Sequence, residues 1–209
     1  MDFDEETQID GLIDRLKQFI GAKPQNPTAH YNLGLAFIQK GQLEDAEYAF
    51  KMALELDAEM VEAHINLGGL YLRQKKLEEA IAENEKALEI NPHAILAYNN
   101  IGFARMLMDQ LEEAAQAFKK AIEFKPDLIP ARLSLARIYE RQEKWEEVIA
   151  QYEKILDQDS EFALAHYNLA QVYLAQGNPR KASAHYDQAV ALKYPVDPEM
   201  GRRIEAALA

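Results

Sequence analysis

The sequence predicts an all-α solenoid of stacked helical hairpins, and three observations carry that prediction. A 34-residue pattern recurs five times without insertion or deletion, starting at Pro27, Val61, Ile95, Ile129 and Ala163. Inside each copy the apolar residues fall at helical spacing in two short blocks, so each copy reads as two amphipathic helices. Small residues and helix-ending residues recur at the same places in the period. Self-similarity at this period marks an array in which each unit buries its apolar face only against its neighbours.

The elements follow in order. In the first 26 residues, Leu12, Leu16, Phe19 and Pro24 are in phase with the second helix of the repeat. Residues from about 6 to 20 therefore read as a capping half repeat that lacks its first helix. The missing helix is expected to leave Ile9, Ile13 or Ile20 partly uncovered, a surface open to self-association. Five full repeats follow at 27–60, 61–94, 95–128, 129–162 and 163–196. Leu33, Gly34, Phe37, Ala46, Phe50 and Ala53 in the first correspond to Leu67, Gly68, Tyr71, Ala80, Asn84 and Ala87 in the second. The third gives Ile101, Gly102, Arg105, Ala114, Phe118 and Ala121. Leu135, Ala136, Tyr139, Val148, Tyr152 and Ile155 fill these places in the fourth, and Leu169, Ala170, Tyr173, Ala182, Tyr186 and Ala189 in the fifth. Gly or Ala lets two helices approach closely while large residues fill the space beside them. Residues 197–209 open on Asp197 and Pro198, an N-cap followed by proline at the first helical position. Met200, Ile204 and Leu208 recur every four residues there, with Arg202, Arg203 and Glu205 giving this C-terminal capping helix a polar outer face.

Helix ends keep the period. Pro92 and Pro126 follow second helices, where proline cannot continue the helix. The pairs Glu44-Asp45, Glu78-Glu79, Glu112-Glu113 and Glu146-Glu147 open second helices, where negative charge complements the macrodipole. Their recurrence with the fold speaks for that role over paired catalytic carboxylates. In the fifth repeat Arg180-Lys181 replaces the acidic pair.

This arrangement closely resembles the tetratricopeptide repeat family, and the resemblance extends over most of the chain. It implies a right-handed solenoid that acts as a noncatalytic scaffold for another polypeptide. In this family first-helix residues line a concave groove, and here they supply Tyr31, Leu35, Ile38, Ile65, Leu72, Leu96, Phe103, Met106 and Leu107 as apolar anchors. The sixth repeat position gives Asn32, Asn66, Asn100 and Asn168, interrupted by Ser134. An asparagine carries a donor and an acceptor, so such a ladder can bond a peptide backbone without reading its sequence. Hydrogen bonds of about 0.5–1.5 kcal/mol each cannot alone offset an association cost of roughly 4–15 kcal/mol, so the apolar anchors must supply the rest. In the fourth repeat Arg137 and Arg141, four apart on a helix, repel one another, and an anion between them would relieve that. The family's clamp for acidic chaperone tails calls for Lys and Asn where this chain has Tyr31 and Leu35, and for Lys and Arg where it has Leu96 and Asn100. Only Asn66 matches, which argues against that ligand.

Composition bounds the remaining classes. The 209 residues are 48% hydrophobic and 28% charged, enough for a folded core, read here as a single stacked domain. A net charge of -12 opposes nucleic-acid binding, which needs cations to displace phosphate counterions. Cysteine is absent, removing disulfides and thiolate zinc sites. No apolar run suggests a membrane span, and the acidic MDFDEET start lacks secretory-signal features, so a cytoplasmic location is the expectation. His30, His64 and His166 share the fourth repeat position, and packing explains them better than ligation, since at most two could meet. His93 and His185 match no partner spacing. No cofactor is expected, no nucleophile elbow or phosphate loop occurs, and nothing supports an enzyme. The function expected is a noncatalytic protein–protein interaction scaffold that binds a peptide or helix in its concave groove. The alternative is a homo-oligomeric scaffold assembled through the N-terminal half repeat or the groove, and a more distant one is a regulatory subunit of a separate enzyme.

Overall fold

The computed structural model describes residues 3–209, with side-chain surroundings from residue 6 onward. Every regular element among them is a helix: α1 (Phe3–Ala22), α2 (Pro27–Lys40), α3 (Leu43–Leu56), α4 (Val61–Arg73), α5 (Leu77–Ile90), α6 (Ile95–Leu107), α7 (Leu111–Phe124), α8 (Ile129–Arg141), α9 (Trp145–Leu156), α10 (Ala163–Ala175), α11 (Pro179–Ala191) and α12 (Pro198–Leu208). The fold is thus an all-α helical-repeat solenoid. The chain divides into two compact units, Met1–Ala117 and Phe118–Ala209, with the division inside α7. An unbroken period gave no sign of that division, because repeats that touch only their neighbours share no common centre.

In the first unit α1 packs on α2, α2 on α3, α3 on α4, α4 on α5 and α5 on α6, and α4 also touches α6. Close approach rests on glycine. A Cβ at Gly34 would lie 2.6 Å from the Phe50 ring, and one at Gly68 would lie 2.1 Å from Asn84 Nδ2. Phe50 is fully buried, as are Ala46 and Ala53 on the same helix. Burying a side chain of that size contributes about 1.5–3 kcal/mol. Where the other repeats carry an aromatic residue, the second carries Asn84, fully buried and donating to Ala80 O at 2.7 Å.

The hairpin turns share one backbone feature. Gly41, Lys75, Asp109, Glu143 and Gly177, spaced by 34, all have positive φ, from 55° to 78°. Glycine adopts this left-handed conformation freely, whereas an L side chain is strained in it. Lys75, Asp109 and Glu143 hold it because the turn's own bonds impose it, as with Lys76 N–H donating to Tyr71 O at 2.9 Å.

A second feature explains the fourth repeat position. His30 donates Nε2–H to Pro24 O at 3.0 Å, His64 to Ala58 O at 3.1 Å and His166 to Ser160 O at 3.1 Å. Arg132, at the same position, donates to Pro126 O through Nε and Nη2. Each side chain ties its first helix to a carbonyl six residues upstream, in the turn that precedes it. These bonds satisfy acceptors that prolines and short turns leave open.

Of the three isoleucines expected to be partly uncovered, Ile9 and Ile20 are partly buried against the core, whereas Ile13 is fully packed in it, 4% exposed. Leu12 and Phe19 face outward instead, 37% and 42% exposed. They stand where complete repeats place Ala46 and Ala53, residues that a first helix normally covers. Lys40 pairs with Asp10, holding α1 to α2.

In the second unit α8 packs on α9, α9 on α10, α10 on α11 and α11 on α12. Tyr152, Ile155 and Leu169 are buried there. Asp197 caps α12 by accepting from Glu199 N–H at 2.9 Å, and Met200 and Ile204 are buried while Leu208 is half exposed.

Candidate functional site

The first helices of the first unit bring several of the expected residues together. Ile38 of α2, Ile65, Asn66, Gly69, Leu70 and Arg73 of α4, and Leu96 and Asn100 of α6 line a recess of ≈280 Å³. Gly69 opens it. The equivalent position is Leu35 in the first repeat and Phe103 in the third, so one missing side chain leaves a notch between neighbours. A Cβ at Gly69 would meet only Asn100 Nδ2, at 3.7 Å. Around the recess Tyr31, Leu35, Leu72, Phe103 and Met106 are half-buried, and Leu96 and Leu107 are 58% and 60% exposed.

The asparagines are not free on both sides. Asn66 Nδ2 donates to Glu62 O at 2.8 Å and to Tyr31 Oη at 3.1 Å. Asn100 Nδ2 donates to Asn84 Oδ1 at 3.1 Å and to Ile65 O at 3.3 Å. Their amides are thereby oriented with Nδ2 against the protein, which leaves Oδ1 as the group for a ligand. Asn32 is exposed on α2. The Asn84 to Asn100 bond links the buried core to this face, and the sequence signalled it only through a polar residue at an aromatic position.

Asn168, Arg137 and Arg141 belong to the second unit. Asn168 Nδ2 donates to Tyr152 Oη at 2.9 Å, which in turn donates to Glu140 Oε1 at 3.0 Å. Burial, and then the Glu140 carboxylate, push the Tyr152 hydroxyl well above its ordinary value. Arg137 and Arg141 are both exposed on α8. Glu140, between them in sequence, accepts the tyrosine bond.

A larger cleft of ≈530 Å³ lies elsewhere in the first unit, lined by Lys51, Leu54, Glu55, Ala58, His64, Leu67, Glu83, Lys86, Glu89 and Ile90. His64 Nδ1 lies 2.6 Å from Glu83 Oε2, an ion pair when the ring is protonated, and Lys86 adds a bond at 2.8 Å to the other oxygen. Burial pushes the Glu83 carboxyl up, and the bonds from His64 and Lys86 outweigh it and hold the group below its usual value. Lys51 is bonded to Glu47 at 2.7 Å. His64, Glu83 and Lys86 satisfy one another here and Lys51 is taken by Glu47, which leaves the carboxylates of Glu55 and Glu89, whereas the α2–α4–α6 recess offers two asparagine oxygens and Arg73. Size favours the larger cleft; recognition chemistry favours the smaller.

His185, which matched no spacing in the sequence, contacts His166. Their Nδ1 atoms are 3.0 Å apart. The pair occupies the repeat positions that hold His64 and Glu83 in the second repeat, with the partners 19 positions apart in both. No group of three or more His, Cys, Asp or Glu side chains among the described residues is placed to hold a metal ion, and no described helix is long and apolar enough to cross a membrane.

Solved structures share the fold at low identity. MamA is 24% identical with a TM-score of 0.72, over 77% of this chain and 94% of that one. YrrB, described as a TPR protein with an unusual peptide-binding site, is 22% identical with a TM-score of 0.70, over 93% and 98%. PilF of Pseudomonas aeruginosa is 18% identical with a TM-score of 0.76, over 95% and 96%. No curated protein matches the chain. Tetratricopeptide repeat profiles match residues 13–60 and 133–199, residues 37–100 and residues 95–128. The chain belongs to the tetratricopeptide repeat family.

Proposed function

We propose that this protein is a noncatalytic protein–protein interaction scaffold that holds a peptide against the first-helix face of α2, α4 and α6. The observation that carries the reading is the recess over Gly69, with apolar walls from Ile38, Ile65, Leu70 and Leu96 and two asparagine oxygens whose amide nitrogens are already committed. Such a site takes an apolar side chain into the notch while Asn66 and Asn100 accept backbone N–H groups beside it. Half-exposed Phe103 and Met106 extend the apolar track, which supplies the burial that hydrogen bonds alone lack. YrrB's description as a protein with a peptide-binding site is consistent with this use of the fold. In the second unit Asn168, Arg137 and Arg141 are proposed as further contacts, the arginines for an acidic group.

The test compares binding partners of wild type with those of a Leu72→Glu, Phe103→Glu variant whose helicity is intact by circular dichroism. Loss of the partners supports the groove, and retention of every partner rules it out. A second reading, self-association, is supported by exposed Leu12 and Phe19 on α1. Light scattering at micromolar concentration tests it: a strict monomer sinks self-assembly, and a dimer that Leu12→Glu, Phe19→Glu abolishes supports it.

A further inference from the structure

Arg73 gives the recess a chemical preference that its apolar walls do not. It stands in the last turn of α4, is exposed and lines the recess. Among the described residues it has no ion-pair or hydrogen-bond partner. A cation in a last helical turn complements the macrodipole, but that role leaves the five donors of the guanidinium unused. The equivalent residues in the first and third repeats are Gln39 and Leu107, so the positive charge on this face of the first unit is local to the notch. The opposite end of α4 carries Glu62, exposed in the first turn. The two are eleven positions apart on the helix, about 16 Å at 1.5 Å per residue. The face is therefore polarised along α4, negative at the start and positive at the end.

Resting on the groove reading above, we infer that the ligand class is a peptide segment in which an apolar residue is followed closely by an acidic one. The apolar side chain fills the notch over Gly69, the flanking N–H groups donate to Asn66 and Asn100 Oδ1, and the carboxylate pairs with Arg73. Glu62 repels an acidic residue placed on the other side of the anchor, so the pair also sets the direction in which the segment lies. This is not the chaperone-tail clamp, whose lysines are replaced here by Tyr31 and Leu96. The acidic group is read by one arginine beside an apolar notch.

The experiment is selection of a random peptide library displayed on phage against immobilised full-length protein, run in parallel on wild type, Gly69→Leu, Arg73→Gln and Arg73→Glu. Arg73 is exposed and a Cβ at Gly69 meets only Asn100 Nδ2 at 3.7 Å, and circular dichroism confirms that each variant is folded. Wild type is expected to enrich segments with an apolar residue next to Asp or Glu. Arg73→Gln should lose the acidic preference and Arg73→Glu should exchange it for Lys or Arg, both keeping the apolar anchor. A fluorescein-labelled copy of an enriched peptide should bind Arg73→Gln about tenfold more weakly, the loss expected for a charge-assisted hydrogen bond. Apolar enrichment that Gly69→Leu abolishes, without any acidic bias or with a bias that Arg73→Glu leaves unchanged, overturns this inference and leaves the groove standing. Enrichment that Gly69→Leu does not alter overturns the groove and this inference with it.

Discussion

Gly68 and Gly69 are neighbours on α4, and replacing each by alanine should move stability in opposite directions. At Gly69 the added methyl meets only Asn100 Nδ2 at 3.7 Å, an ordinary contact. The substitution then shows its helix propensity alone, a gain of about 1 kcal/mol. At Gly68 the methyl would sit 2.1 Å from Asn84 Nδ2 and 3.1 Å from the backbone oxygen of Ala80. Asn84 is fully buried and bonded on both sides, to Ala80 O and to Asn100, so it cannot swing aside without breaking those bonds. Overpacking of about 1–3 kcal/mol and a lost hydrogen bond of about 1 kcal/mol exceed the same propensity gain. The net expectation is about 1–3 kcal/mol of destabilisation. For a chain of this length each kcal/mol moves Tm by roughly 2–4 °C. Thermal and urea unfolding followed by far-UV circular dichroism would resolve the split. Equal shifts in the two variants, or a stabilised Gly68→Ala, would refute the packing described for α4 and α5.

Other perturbations bear on the remaining features. Glu143→Gly relieves a side chain held at φ 55° and should stabilise the fourth repeat by up to about 1 kcal/mol, read by urea midpoint; a loss would mean that the turn is not strained. Burial, then His166 and Lys181, hold the His185 ring below its ordinary pKa. The folded state then takes up that proton less readily than the unfolded one, so the stability is complete above about pH 6.5 and falls as pH drops below it. Urea midpoints from pH 8 to pH 5 should show this loss, and His185→Glu, which imitates Glu83, should shrink it; an unchanged slope would contradict the pairing. Burial pushes the Glu47 carboxyl up, but bonds from Lys51 and Lys76 outweigh it and hold it down at about 2. Its stabilisation is present above about pH 4.5 and lost as pH falls toward 2, so Glu47→Gln should flatten that acid limb of a stability profile.

Much of the architecture was legible because it is periodic. Apolar spacing placed both helices of each repeat, and the Asp197-Pro198 cap with Met200, Ile204 and Leu208 every four residues announced α12. The acidic pairs stand in the first turns of second helices as their spacing indicated, and the shared histidine position bonds the preceding turn, although its partners could not be read. His64 meets Glu83 and His166 meets His185 through contacts between the two helices of a hairpin, which no local pattern encodes. Glycine marked two of the left-handed turns, Gly41 and Gly177. At Lys75 and Glu143 the same turn is imposed by the repeat on residues with no preference for it, and Asp109 tolerates it better than they do. On α1 Ile9 and Ile20 are partly uncovered as expected, but Ile13 is buried and the more exposed residues are Leu12 and Phe19, because burial there depends on which neighbour is absent. At the candidate site the apolar and asparagine positions were visible in the alignment. The notch was not, since it arises from what Gly69 lacks, and the amide orientations depend on Tyr31 and Asn84 reaching from other helices.

Two clefts in the first unit compete for the role of binding site, and one measurement separates them directly. A peptide enriched on wild-type protein would be titrated into ¹⁵N-labelled protein and the amide shifts followed. Perturbations are expected on α2, α4 and α6 around Ile38, Asn66, Gly69 and Asn100, with the outer stretch from Lys51 to Ala58 and from Lys86 to Ile90 unmoved. Shifts confined to that outer stretch, leaving Gly69 and Asn100 silent, would contradict the groove reading.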